Sequence, residues 1–185
     1  MTKQLMDSEK TIVGQCPICA GNVIKTLTGY ACEHSFGEKP SCGFFLFSTI
    51  GNRRLSDAEA SQFLFDKKIL LDGFSTKEGK NFSSILLFNQ DGSVDMNSQL
   101  GTCPKCGGTL YVGAKAVTCS NFKHPQAPCY FTIWRNTSGH EMTLPELEAL
   151  ITLGETAIPV DTFDKQGNKT QHRFGLNDAK EVIKL

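Results

Sequence analysis

The sequence predicts an α+β fold laid down twice, each copy a small antiparallel β unit followed by one helix and a β-hairpin. Three observations predict it. Eight cysteines form two sets, Cys16, Cys19, Cys32, Cys42 and Cys103, Cys106, Cys119, Cys129, with every member of the first repeated 87 positions later; such self-similarity marks an internal duplication. Short β-branched and aromatic runs surround the cysteines, as half-buried strands require. Behind each set, a capping box and an apolar i, i+3, i+4 stripe announce a helix.

The register holds beyond cysteine, because at the same offset Gly14 meets Gly101, Pro17 meets Pro104, Gly21 meets Gly108, Phe44 meets Phe131 and Glu59 meets Glu146. Two units of residues 1–98 and 99–185 follow, meeting near Gln99. In each, "NVIKTLTGYAC" or "TLYVGAKAVTC" supplies two strands around a turn, and "FFLFST" or "YFTIW" a further strand. Ser56 with Glu59, and Thr143 with Glu146, start the helices. Their buried faces are Ala60, Phe63, Leu64 and Leu147, Leu150, Ile151. "GFSTKEGKNFSSILLFNQDGSVDM" then reads as a turn and a hairpin closed by "NQDG". The second copy aligns behind its helix only when the offset slips to 88, matching Gly79 to Gly167 and Asn89 to Asn177. Its last stretch, "DAKEVIKL", also reads as a helix, and only the repeat favours a strand.

A single Cys-x-x-Cys serves redox chemistry and metal binding equally well. Two sets of four do not. Each reads C-x2-C, twelve residues, C, nine residues, C, with no odd cysteine left over, which is the ligand set of tetrahedral tetrathiolate zinc. Two Zn2+ ions per chain are expected, structural rather than catalytic, since four protein ligands leave no position for an activated water. Histidine does not keep its place: His34 aligns with Asn121 and His124 with Gly37, so surface or DNA-contacting roles suit them better than ligation. His140 and His172 read as surface residues.

Composition bounds the function. With 185 residues, 39% hydrophobic, 21% charged and a formal net charge of zero, the chain has the balance of a soluble globular protein and no long-range basic field. No apolar run approaches the roughly 20 residues of a membrane span, and "MTKQLMDSEK" lacks the apolar core of a secretory signal. A cytoplasmic location with reduced thiols is expected, with no membrane partner.

The residues resemble a known family, the C-terminal zinc-ribbon repeats of bacterial type IA DNA topoisomerases, especially of the topoisomerase III type. The resemblance lies in "CPKCGGTL", in "CSNFKHPQAPCYFTIW" and in "GFSTKEGKNFSSILLFNQDGSVDM", so copy one matches best behind the helix and copy two best in the finger. "KQGNKTQHRF" departs from the family's lysine–phenylalanine spacing. The resemblance implies zinc ribbons that bind single-stranded DNA without the catalytic domains. No enzyme activity is expected, and Tyr30, Tyr111 and Tyr130 sit within or beside the fingers.

Single strands are held by aromatic faces and phosphate-tracking cations. From Gln99 to Asn136 the cations are Lys105, Lys115, Lys123 and Arg135 with no acid, whereas from Ile12 to Arg54 Lys25, Lys39, Arg53 and Arg54 face Glu33 and Glu38. A zinc tetrathiolate adds about two negative charges to each, leaving the second finger near plus two and the first near zero. Expected DNA contacts are Phe122, Lys123, His124, Trp134, Arg135 and Lys115, with Arg53 and Arg54 from the first finger. Phe131 reads as core, and Trp134 as either core or stacking surface. The rival reading is a protein-interaction module docking on a topoisomerase, polymerase or other DNA-processing enzyme.

Overall fold

The computed structural model describes residues 11–185; the polar N-terminal stretch 1–10 lies outside the described residues. The chain is α+β, built mostly of small antiparallel sheets, with two α-helices among the described residues. The described residues divide into two compact units, one of 11–81 with Ile85–Asn97 and the other of Phe82–Ser84 with Ser98–Leu185.

The first unit begins with β1 (Ile12–Gln15), β2 (Asn22–Lys25), β3 (Gly29–Cys32) and β4 (Phe45–Phe47), an antiparallel sheet in sequence order. A ribbon of β5 (Thr49–Ile50) and β6 (Arg53–Arg54) leads to α1 (Asp57–Asp66). That helix starts where the sequence says, with Glu59 N–H donating to Ser56 Oγ at 3.2 Å and Ser56 N–H to the Glu59 carboxylate at 2.9 Å. Two otherwise orphaned donors are thereby satisfied. Ala60, Phe63 and Leu64 are all buried. Phe63 stacks on Phe88 at 4.0 Å, and Phe44 meets the same ring edge-on at 5.6 Å, so helix, ribbon and following sheet share one aromatic core. That sheet is β7 (Lys68–Ser75), β8 (Asn81–Phe88) and β9 (Val94–Asn97). Its second turn closes with Asn89 N–H donating to Ser93 O at 2.9 Å, and Gly92 there takes a left-handed φ of +78°.

The second unit has β10 (Gln99–Thr102), β11 (Thr109–Val112), β12 (Ala116–Cys119) and β13 (Thr132–Trp134) in one antiparallel sheet. A ribbon of β14 (Asn136–Thr137) and β15 (His140–Glu141) precedes α2 (Leu144–Thr152), whose Thr143–Glu146 capping box is also present. Leu147 and Leu150 are buried while Ile151 is only half-buried, so the helix's apolar stripe is narrower than its periodicity suggests. His140 is not the ordinary surface residue expected: its Nε2 lies 3.0 Å from Glu146 Oε2 with both side chains mostly buried. Arg53 makes the corresponding pair with Glu59 in the first unit, its Nη1 3.2 Å from Glu59 Oε2.

Behind α2 lie two separate pairs, β16 (Val160–Phe163) with β17 (Lys169–His172) and β18 (Phe174–Leu176) with β19 (Val182–Lys184). Arg173 interrupts what is one continuous strand in β8. The last residues are strand, not helix, because Asn177 folds the chain back: Glu181 N–H donates to Asn177 Oδ1 at 2.9 Å and Asn177 N–H to Glu181 O at 3.0 Å. Side-chain capture of this kind competes with helix formation. No helix among the described residues is long and apolar enough to cross a membrane.

Ser56→Ala removes the hydroxyl half of the first capping box and should cost about 1 kcal/mol. Thermal unfolding of zinc-loaded protein checks this; an unchanged midpoint means the box is dispensable.

Candidate functional site

Each ribbon sheet carries four thiols to one point. Cys16, Cys19, Cys32 and Cys42 have sulfurs within 4.8 Å of one another, as do Cys103, Cys106, Cys119 and Cys129. The close pairs are Cys16–Cys42 at 3.7 Å, Cys19–Cys32 at 3.5 Å, Cys103–Cys129 at 3.8 Å and Cys106–Cys119 at 3.4 Å. All eight cysteines are free. A tetrahedron with Zn–S bonds of about 2.3 Å has sulfur edges of about 3.8 Å, so both cages fit such an ion. In each, three sulfurs are buried and the second knuckle cysteine, Cys19 or Cys106, is exposed.

The knuckles are tight turns. Cys16 N–H donates to Gly21 O at 2.8 Å and Ala20 N–H to Cys16 O at 3.0 Å; Cys103 N–H donates to Gly108 O at 2.7 Å and Gly107 N–H to Cys103 O at 2.9 Å. The residue after the second knuckle cysteine is left-handed, φ +58° at Ala20 and +75° at Gly107. Gly21 and Gly108 are required for another reason, which is crowding. A Cβ at Gly21 would lie 2.8 Å from the His34 ring, and one at Gly108 2.9 Å from Asn121 Nδ2 and 3.0 Å from Cys119 Sγ.

Those two neighbours were not legible as functional. His34 Nδ1 lies 3.5 Å from Cys19 Sγ, and Asn121 Nδ2 donates to Cys106 Sγ at 3.5 Å. Neither is a ligand; the Asn121 amide donates to its exposed sulfur, and the His34 ring nitrogen stands where the tautomer carrying the proton on Nδ1 would do the same, as outer-shell groups around metal thiolates do. The signal was the alignment of a histidine with an asparagine 87 positions on, which looks like divergence until both are seen beside the exposed sulfur. Backbone N–H from Gly21, and then His34, draw the Cys19 thiol down to about 6, and Gly108 N–H does the same for Cys106, also to about 6. Burial instead pushes Cys32 and Cys103 up to about 12. Zinc must therefore displace protons from buried sulfurs, a step that couples loading to pH.

The expected DNA contacts divide sharply. Trp134 is 61% exposed on the outward face of its sheet, and Lys115, Phe122, Lys123 and His124 are exposed too. Phe122 packs edge-on against Tyr130 at 5.5 Å, and His124 Nδ1 accepts from Ala127 N–H at 3.1 Å. Arg135 is different. Only 4% exposed, it donates to Gly113 O at 3.3 Å and Ala114 O at 3.4 Å and pairs with Glu141 at 3.3 Å. It is an internal strut, because strand alternation turns residue 135 inward when Trp134 points out. Arg53 is likewise committed, to Glu59 and the Asp72 carbonyl, over the Phe74 ring at 5.6 Å. Arg54 is exposed. Phe131 is core.

Strand pairing shows what each ribbon presents outward. In the second, Gln99, Tyr111, Thr118 and Thr132 lie abreast, with Ala116 and Trp134 in the next row. In the first, the same rows are Ile12, Ile24, Ala31 and Phe45, then Gly29 and Phe47, of which only Ile12 and Phe47 are exposed while Ile24, Ala31 and Gly29 are buried. One face is polar and aromatic, the other apolar.

With this geometry in place, the chain compares with one known family. Residues 41–97 match the C-terminal repeat of topoisomerase. The matched repeat runs from beside Cys42, the last ligand of the first cage, through α1 to β9, and so includes the stretch behind the helix in which copy one best resembles that family. The two four-cysteine cages fit two zinc-ribbon repeats. No curated protein and no solved structure matches the chain.

A strong chelator should remove two zinc ions per chain, with loss of both ribbons' tertiary signal, and metal analysis of protein purified reduced should return the same number. Metal-bound sulfurs are thiolates, so this stabilisation is present at neutral pH and lost as protons compete on acidification. Ala20→Gly, matching Gly107, should relieve left-handed strain and raise the first ribbon's stability by up to about 1 kcal/mol; a lower melting point contradicts that.

Proposed function

We propose that the chain is a non-enzymatic zinc-ribbon protein, two tandem copies of a ribbon, helix and hairpin unit, that binds single-stranded DNA chiefly through its second ribbon. The duplication is supported by equal strand orders in the two ribbon sheets, equivalent capping boxes, and turns that recur 88 positions apart, Thr76 to Lys80 and Asp164 to Asn168, then Asn89 to Ser93 and Asn177 to Glu181. The observation that carries DNA binding is the outward face of the second sheet. Trp134 and Tyr111 project from it beside Thr118 and Thr132, Tyr130 is exposed next to β13, and no carboxylate occurs between Gln99 and Asn136. Flat rings stack on any base, and Lys105, Lys115 and Lys123 supply cations without neutralising neighbours in sequence. Burial of Arg135 lowers the expected phosphate contacts without changing the stacking surface. The match of residues 41–97 to a topoisomerase repeat favours DNA as the partner.

A second reading has its own observation. The first ribbon's outward face carries Ile12 and Phe47, the latter 63% exposed, and Leu27 at the tip of its turn. That surface suits an apolar contact on a DNA-processing enzyme, with the first ribbon on protein and the second on DNA.

Titration of labelled single-stranded and duplex oligonucleotides, at low and moderate salt, separates the readings. Micromolar single-strand affinity is expected, with log K falling by about 0.7 per log unit of salt for each phosphate contact. Trp134→Ala should weaken binding about 5- to 150-fold, the worth of one stacked base, with both zinc ions retained. Absence of binding even at low salt leaves only the protein-docking reading.

A further inference from the structure

Resting on the DNA-binding reading, we infer that a cavity between the second ribbon and the last hairpin is a nucleotide site, in which Lys105 and Lys180 hold a backbone phosphate beside the Tyr130 and Trp134 rings. The first unit shows what this place looks like when closed. There Gly92, at the tip of the β8–β9 turn, sits so tightly on the knuckle that an added Cβ would lie 2.8 Å from Ile18 Cδ1 and 3.1 Å from Phe44 Cδ2. The turn and the knuckle are in close apolar contact there.

In the second unit the equivalent positions are Lys105 for Ile18, Lys180 for Gly92 and Phe131 for Phe44. These three residues line a cavity of about 370 Å³ with Tyr130, Trp134 and Glu181, a size in the range of small-ligand pockets, about 300–1,000 Å³. Two cations replace an aliphatic side chain and a glycine. Lys180 holds a left-handed φ of +63° that Gly92 adopts without cost, and a non-glycine residue kept in that region is the sort of strain that function retains. No ion pair among the described residues engages either lysine. The lining acid, Glu181, accepts from Asn177 Nδ2 at 3.3 Å within its own turn. Trp134 ends edge strand β13 and Tyr130 precedes it, both lining the same cavity, so a strand laid along that edge meets a ring, the paired cations, and a second ring.

Lys180→Gly tests this without threatening the fold, since it installs the first unit's residue and relaxes the backbone. Its thermal midpoint should be unchanged or higher, while affinity for single-stranded DNA falls about tenfold, the worth of one charge-assisted contact. The salt slope should flatten by about 0.7. Lys105→Ile should behave alike, and Lys165→Gly, on the other turn of this unit, should leave affinity within twofold. Quenching of Trp134, the single tryptophan, reads the same titrations. If Lys180→Gly and Lys105→Ile bind like the parent, or Lys165→Gly loses as much as they do, the cavity is not the site although DNA binding stands. If the parent binds no oligonucleotide, the underlying reading fails instead.

Discussion

Sulfur–metal coordination is the interaction on which the ribbons depend. Each ribbon sheet has strands of three or four residues, too short to hold a fold by pairing alone. Four thiolates around one divalent ion supply on the order of 10 kcal/mol of apparent folding free energy in comparable sites, more than the few apolar side chains of a finger can contribute. The knuckle glycines, the N–H groups aimed at the sulfurs and the His34 or Asn121 side chains all follow from the need to bring negative sulfurs together. The helix and its aromatic or leucine stripe then anchor the ribbon to the rest of its unit.

Much of this was readable before any coordinates. Cysteine spacing located both cages because ligand geometry demands a fixed set, and the capping boxes located both helices because Ser56, Glu59, Thr143 and Glu146 satisfy specific backbone donors. The slip from 87 to 88 also placed the last strand correctly against the pull of a helical-looking "DAKEVIKL", the deciding force being the side chain of Asn177. What stayed hidden was the state of individual charges. Arg135 counts as a cation in sequence, yet strand parity buries it on two carbonyls and Glu141. Arg53 reads as a DNA contact and proves to brace a helix start. Parity and pairing belong to the fold, so no local pattern carries them.

The two ribbons solve one structural problem with different outer surfaces. Every residue that closes a cage or caps a helix has a counterpart of the same chemical role, including the Arg53–Glu59 and His140–Glu146 braces. Residues facing away from the core are unconstrained by that problem. Ile12 and Phe47, exposed in one sheet, stand where Gln99 and Trp134 stand in the other. A scaffold held by metal tolerates such exchange, because its stability does not rest on what the outward face contains.

The ligands of each cage span only 26 residues from first to last. Closing so short a loop costs little chain entropy, and no sulfur need be borrowed from elsewhere in the polypeptide. Once Cys42 has left the ribosome the leading cage has every ligand it requires, so it can capture its ion and set while the trailing half is still being synthesised.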